Sequence, residues 1–211
     1  MEKRLLLDGT MSLVTSSGFL LHPYNGLGEL HHKYIKREVL QKLATKEVVT
    51  ILDVGFGFGY LSALFVSELW KLNPLVMVKI IGIEKYSEVL EKITTVVPIN
   101  SCHEKIISCL KENKEDAFVL VHTVDIREGI TRVGSDWGDV VFFDLYPPMH
   151  NKDVWSFEVF SNIHQKMKSG GVLLTHTADP LVRLELEKAG FVWDEVRPCG
   201  RFGPGTIAHK L

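Results

Sequence analysis

Cysteine is scarce in this chain. Cys102, Cys109 and Cys199 are an odd number with no Cys-x-x-Cys pair, which excludes a disulfide framework and the spacing of a structural zinc site. Such usage fits the reducing cytosol, so a cytoplasmic location is the expectation. Long hydrophobic runs are missing as well. No segment approaches the about 20 apolar residues that cross a bilayer, and the N-terminal run Leu5–Leu7 breaks at Asp8, too short for a signal peptide. No membrane partner is expected. Nor is there an excess of one charge: 24 Lys and Arg stand against 26 Asp and Glu, for a net charge of −2. The global basic footprint of a nucleic-acid-binding domain is therefore absent, and any such contact has to come from a local patch. His31-His32 sits on an expected helix and His150, His164 and His176 are scattered, so no metal is expected. No repeat, low-complexity tract or linker interrupts the 211 residues, and a hydrophobic content of 45% suits one core.

What the chain does have is a glycine-rich turn. Ile51-Leu-Asp-Val-Gly-Phe-Gly-Phe-Gly-Tyr60 carries an apolar run into glycines spaced two apart, Gly55, Gly57 and Gly59, and a helical pattern starts at once. This is the strand, tight turn and helix that open a nucleotide-type α/β fold. Asp53, two residues before the first glycine, would repel a pyrophosphate. It points instead to a ligand with a positive end, such as S-adenosylmethionine with its ammonium and sulfonium groups.

Along the chain, Arg4–Leu7 and Ser12–Thr15 flank Asp8-Gly9 as a small hairpin. A Gly-, Pro- and Asn-containing loop over 16–28 leads to a helix over Glu29–Leu43. From there strands and helices alternate: strand Val48–Val54, helix Tyr60–Leu72, strand Val76–Ile83, helix Ser87–Val97. Residues 99–116 are hard to read, with the first half helical. Strand Phe118–Val124, a short connection holding Glu128–Val133, strand Asp139–Phe143, helix Trp155–Met167, strand Gly171–Thr177 and helix Pro180–Ala189 follow. Phe191–Arg197 and Thr206–Lys210 close the chain as an antiparallel pair around Gly200–Gly205. The expected organisation is a hairpin and helix over 1–45 packed on a core over 46–211, in one domain. Its sheet is mostly parallel, covered on both faces, with its ligand edge at the strands' carboxyl ends.

Acids recur at those ends. Glu84 lies 25 residues after Gly59, where a carboxylate accepts from both hydroxyls of a ribose. Asp125 follows the third strand, placed to accept from an adenine amino group while Ile126 covers the ring. The fourth strand ends in Asp144, followed by Leu145-Tyr-Pro-Pro148, whose prolines stiffen the loop. Asp144, beside the cofactor, would orient an amine or take its proton, and Tyr146 would help shape the site. Each acid taken singly has another reading as a helix cap or turn residue. Trp155 follows closely enough to line a substrate pocket, although core packing is the commoner fate. Arg127, Lys152, Arg197, Arg201 and Lys210 form either phosphate contacts or an ordinary charged rim.

With these residues in hand, the chain resembles the methyltransferase domain of the bifunctional tRNA 5-methylaminomethyl-2-thiouridine biosynthesis (MnmC-like) family. The resemblance runs through Asn25-Gly-Leu-Gly-Glu29, Val54-Gly-Phe-Gly-Phe-Gly59, Ile83-Glu-Lys85 and Asp125-Ile126. It is most specific from Asp139-Val-Val-Phe-Phe-Asp144 through Pro147, Asn151, Asp153 and Trp155, then continues in Lys168-Ser-Gly-Gly171 and Leu186-Glu-Lys-Ala-Gly-Phe191. It implies a class I S-adenosylmethionine-dependent, Rossmann-like fold. It also implies methyl transfer to the exocyclic amine of 5-aminomethyl-(2-thio)uridine at the tRNA wobble position. Carried over, Asp53, Gly55, Phe56, Gly57, Gly59, Glu84, Lys85, Asp125, Ile126 and Asp144 hold the cofactor, and Asp144 and Tyr146 face the chemistry. Asn25, Glu29, Pro147, His150, Trp155 and Arg201 face the substrate. Family members have lysine where His150 stands, and of their basic stretch near the end only Arg201 remains in Gly200-Arg-Phe-Gly-Pro-Gly205. No flavin oxidase portion follows, so a separate enzyme is expected to supply the aminomethyluridine. Two other readings accompany this one: an aminopropyltransferase of the spermidine-synthase type, and a non-catalytic tRNA- or partner-binding subunit on the same fold.

Overall fold

The computed structural model describes residues 1–14, 18, 20, 26–112 and 118–211. Strands β1 (Glu2–Leu5) and β2 (Met11–Val14) pair antiparallel, Glu2 opposite Val14 and Leu5 opposite Met11. The hairpin closes two residues earlier than the Asp8-Gly9 dipeptide implies, because Leu6 N–H donates to the Thr10 carbonyl and draws Leu6–Thr10 into the turn. Gly9 sits there at φ 82°, a backbone region that favours glycine. The expected strand end at Thr15, most of the 16–28 loop including Asn25, and residues 113–116 lie outside the described residues.

The expected single helix over Glu29–Leu43 is two helices, α1 (Leu27–Tyr34) and α2 (Arg37–Leu43). Ile35 and Lys36 are extended between them. The apolar spacing of Leu30, Tyr34, Val39 and Leu43 does not reveal the break. It is set by tertiary packing: Tyr34 turns fully buried into the sheet's edge, while Val39, Leu40 and Leu43 pack into the core.

The remaining strands are β3 (Val48–Val54), β4 (Met77–Glu84), β5 (Val119–Thr123), β6 (Gly138–Phe143), β7 (Met167–Thr175), β8 (Val192–Val196) and β9 (Gly205–His209). They form one sheet in the order β5-β4-β3-β6-β7-β9-β8, parallel except for β9, which runs antiparallel to both its neighbours. Alternation along the strands sends side chains to opposite faces. Val49, Ile51, Val140, Phe142 and Leu174 meet α1, α2, α3 (Tyr60–Leu72) and α5 (Ser101–Glu112) in one apolar layer. Leu52, Val54, Val141, Phe143 and Leu173 meet α6 (Ile126–Thr131), α7 (Phe157–Lys166) and α8 (Pro180–Lys188) in the other.

Several boundaries differ from the sequence reading, among them the helix expected over Trp155–Met167, which is α7 from Phe157 to Lys166. Helix α4 (Ser87–Ile93) stops short of Val97, where the β-branched run 94–97 and the following Pro98 disfavour helix. The connection at Glu128–Val133 contains α6, capped by Asp125, whose carboxylate accepts from Arg127 N–H. Strand β7 starts at Met167, four residues early, because a register irregularity at Lys168–Gly171 lets it pair again from Val172. Between β3 and β6 the strand order reverses direction, the switch point where such sheets open a ligand crevice.

Candidate active site

The crevice floor is the glycine turn. The N–H groups of Gly55 and Phe56 both donate to the Ile83 carbonyl, at 3.0 and 3.1 Å, which folds the end of β3 onto β4. Gly55 stands at φ 92°, and a Cβ there would lie 2.5 Å from the Asp144 carbonyl oxygen. The missing side chain therefore lets the loop after β6 close over the turn. Gly59, at φ 73°, is the left-handed cap of α3. Phe56 points away from the crevice: a Cβ on Gly82 would meet its ring at 2.6 Å and one on Gly59 at 2.8 Å. The ring is core, and Gly82, which sequence reasoning passed over, is the gap in β4 that admits it.

Three carboxylates surround this turn. Glu84, 5% exposed, accepts from Gly57 N–H at 3.0 Å and from Tyr86 N–H at 2.9 Å. Burial raises its pKa, and those backbone donors oppose the rise. Asp53 is 1% exposed and accepts from the Ser62 hydroxyl of α3 at 2.6 Å. Its Oδ1 has no hydrogen-bond partner among the described residues. Burial pushes its pKa up to about 8; the Ser62 bond opposes this, while the charges of Asp144 and Glu84 add to it. Asp144 completes the set. Its Oδ1 accepts from the Tyr34 phenol at 2.6 Å and lies 3.2 Å from Nδ1 of His176. Burial, then the Asp144 charge, hold the Tyr34 phenol well above its usual pKa, so it remains a donor.

A cavity of about 290 Å³ opens over these groups. The glycine turn supplies Gly55 and Gly57, and β4 with its following residues supplies Ile83, Glu84, Lys85 and Tyr86. Ile126, Asp144 through Pro147, Asn151 and His176 form the opposite side, and Glu29, Leu30, Lys33 and Tyr34 of α1 close it together with Leu20. Lys33 is buried and pairs with Glu29 at 2.7 Å. The structure thus brings together Gly55, Gly57, Glu84, Lys85, Ile126, Asp144, Tyr146, Pro147 and Glu29. Asp53 lies beneath the wall rather than on it. Asp125 is absent from the cavity wall; its Oδ1 caps α6, and its Oδ2 lies 3.9 Å from Lys85. Trp155 is buried against Phe143 and Phe160, with its indole N–H on the Tyr146 carbonyl at 3.0 Å. His150 is exposed on a short 3₁₀ turn. Arg201 is exposed too, resting over Phe202, which stacks on His32 of α1. Neither reaches the cavity wall, and Asn25 lies outside the described residues.

Sequence reasoning missed Tyr34, Lys33 and His176. Tyr34 was indistinguishable from a core residue on a helix face. His176 carried a usable signal, since it follows directly on the carboxyl end of β7.

The wall fits S-adenosylmethionine. Asp53, Glu84 and Asp144 lie close enough for Asp53 to feel both other charges, and a buried carboxylate oxygen without a partner is relieved by a positively charged ligand above it. Glu84 suits hydroxyl donors and Ile83 and Ile126 an apolar ring face, with glycines leaving room between.

The sequence profile of a family described as S-adenosyl-L-methionine-dependent methyltransferase matches residues 84–210. The chain is 27% identical over 209 residues to the tRNA 5-methylaminomethyl-2-thiouridine biosynthesis bifunctional protein MnmC of a Marinomonas species, covering 88% of this chain and 30% of that protein. The protein of the same name from Cupriavidus metallidurans is 25% identical over 184 residues, covering 79% and 27% respectively. The chain therefore spans less than a third of these relatives' length. Among solved structures, MnmC2 from Aquifex aeolicus superposes with a TM-score of 0.81 at 27% identity, over 99% of this chain and 70% of that one. Spermidine synthase from Thermotoga maritima, at 16% identity and a TM-score of 0.59 over 100% of this chain and 72% of its own, shares the fold.

Proposed function

The chain belongs to the S-adenosyl-L-methionine-dependent methyltransferase family, and on that premise we propose that it N-methylates the 5-aminomethyl group of uridine or 2-thiouridine at the wobble position of tRNA. The observation that carries this reading is the Asp144 carboxylate, held at the switch point beside the glycine turn and facing the cavity. The relatives' name adds support, because a methylaminomethyl group is what N-methylation of an aminomethyl group produces. In this reading the protein acts in the cytoplasm.

Gly55, Gly57, Glu84, Lys85 and Ile126 hold the cofactor: the glycines by exposing backbone, Glu84 at the ribose hydroxyls, Ile126 against the adenine. Asp53, buried below the turn, gives up its proton more readily once a positively charged ligand lies above it, and Asp125 and Gly59 shape the rim and the turn. When bound, S-adenosylmethionine supplies an electrophilic methyl group on a positively charged sulfur. Asp144 accepts a hydrogen bond from the target amine and turns its lone pair toward the cavity, while the Tyr34 bond keeps the carboxylate from rotating away. Tyr146, Glu29 and Pro147 border the nucleoside's approach. Trp155 acts from behind, holding the Tyr146 carbonyl, and His150 and Arg201 contact RNA beyond the cavity.

The test is transfer of a labelled methyl group from S-adenosylmethionine to bulk tRNA from cells lacking the wobble methyltransferase, followed by nucleoside analysis. Label in 5-methylaminomethyluridine or its 2-thio form is the expected result. Unlabelled tRNA, with cofactor binding intact, would redirect the enzyme to another amine.

A further inference from the structure

Three segments meet at one oxygen. Asp144 follows β6, His176 follows β7, and Phe143 pairs in register with Thr175, so the two side chains leave neighbouring parallel strands at the same level. Tyr34 arrives from α1 on the far side, and its phenol and the His176 Nδ1 both address Asp144 Oδ1, at 2.6 and 3.2 Å. Nδ1 is buried, within ion-pair distance of Asp144 but off the direction of a hydrogen bond, and has no hydrogen-bond partner among the described residues. His176 has two further contacts, one to its ring and one to its backbone. Trp155 meets it ring edge to face at 5.7 Å, and Lys33 donates to the His176 carbonyl at 3.2 Å. His176 also lines the cavity.

An aliphatic amine carries an extra proton near neutral pH, and in that form it has no lone pair to give. We propose that His176 stores this proton, received through Asp144, and that Tyr34 positions Asp144 for the exchange; the proposal rests on the reading that an amine is the methyl acceptor. The alkylammonium gives one proton to the Asp144 carboxylate, which passes it to His176 Nδ1 and becomes a carboxylate again beside the imidazolium. The freed lone pair forms the new C–N bond as the methyl's bond to sulfur is given up, its electron pair left on sulfur. The product departs as a secondary ammonium, and the proton on His176 returns to solvent. The titratable and charged groups around the imidazole are Asp144 and Tyr146 from the β6 loop, Tyr34 and the Lys33–Glu29 pair from α1, and Asp53 behind Asp144. The Tyr34 phenol stays protonated and does not compete for the proton.

Two measurements on the full chain test this. The first follows the His176 imidazole by NMR through a pH titration, its signal assigned by loss in His176→Asn. In Asp144→Asn the response of the imidazole to pH is expected to differ from the wild type's, because its ion-pair partner at 3.2 Å is gone. An unchanged midpoint overturns the proposal. The second measures methyl transfer to the hypomodified tRNA across pH. His176→Asn is expected to lose about 100-fold in kcat, the scale of general acid–base catalysis, while KM and S-adenosylmethionine affinity hold. The acid limb of the kcat profile, which in the wild type tracks the NMR midpoint, disappears. Tyr34→Phe lowers kcat less and keeps that limb. A His176→Asn enzyme with near-normal kcat and the same profile also overturns the proposal. A wild type that binds cofactor and leaves tRNA unmethylated removes the tRNA reading, and the NMR comparison then decides the proposal by itself.

Discussion

The Tyr34 phenol donates to Asp144 Oδ1 at 2.6 Å, across 110 positions of sequence. That bond joins the N-terminal helix pair to the switch point of the sheet, so the segment before the glycine turn forms a wall of the cavity. Four predictions follow from the way the site is built around it.

Asp144→Ala is expected to abolish methyl transfer while leaving S-adenosylmethionine affinity nearly unchanged. Glu84 and the glycine turn, which carry cofactor binding in the proposed site, stay as they are. Calorimetric titration paired with the labelled-methyl assay checks both halves. Turnover surviving within a few-fold would remove Asp144 from its proposed role.

Glu84→Ala is expected to do the reverse. It deletes the acceptor assigned to the ribose and leaves the Gly57 and Tyr86 N–H groups without their carboxylate acceptor. Cofactor affinity should weaken by about 1–3 kcal/mol, the range for a lost charged hydrogen bond. Equal dissociation constants for variant and wild type would take Glu84 out of the site.

Asp53 predicts a pH dependence of stability in the ligand-free protein. Its folded pKa, about 8, lies above the ordinary 3.8, so the folded state binds more protons than the unfolded chain in between. The stability linked to that proton is fully present below about pH 4 and is lost as pH rises through about 8. Each unit of difference is worth about 1.4 kcal/mol. Asp53→Asn should flatten the slope, as read by denaturant unfolding at several pH values. Glu84, raised in the same sense, leaves a residual slope. An unaltered slope in the variant would mean that Asp53 is ionised in the fold.

Gly55→Ala should destabilise the fold and displace the loop after β6. The new Cβ would lie 2.5 Å from the Asp144 carbonyl oxygen, at a φ of 92° that alanine rarely adopts. The backbone conformation alone costs on the order of 1–3 kcal/mol. Thermal unfolding and cofactor titration should both register the change, whereas Gly134→Ala, with open space around it, should register little.

The difference between Asp53 and Asp125 shows where reading the chain stops. Both acids stand near strand ends in sequence, and both invite the same interpretation. In the fold Asp53 is buried under the glycine turn, bonded to Ser62, while Asp125 turns to cap α6 and leaves the cavity to Ile126. Phe56 makes the same point: its place inside the glycine motif suggests a ligand contact, yet Gly82 on the neighbouring strand gives its ring a place in the core.

By itself the sequence determined the alternation of strands and helices, the glycine turn after β3, the carboxylates Glu84 and Asp144 at the ligand edge, and the antiparallel closing strand. These depend on local periodicity, on residues that alone tolerate a tight turn, and on the rule that parallel sheets present their carboxyl ends together. Tertiary structure alone decided the break at Ile35–Lys36 and the meeting of Tyr34, Asp144 and His176. Those contacts join residues more than a hundred positions apart, or on neighbouring strands whose register is set only when β6 and β7 pair. No local preference encodes such a distance; it is fixed by how the helices bury their apolar faces on the two sides of the sheet.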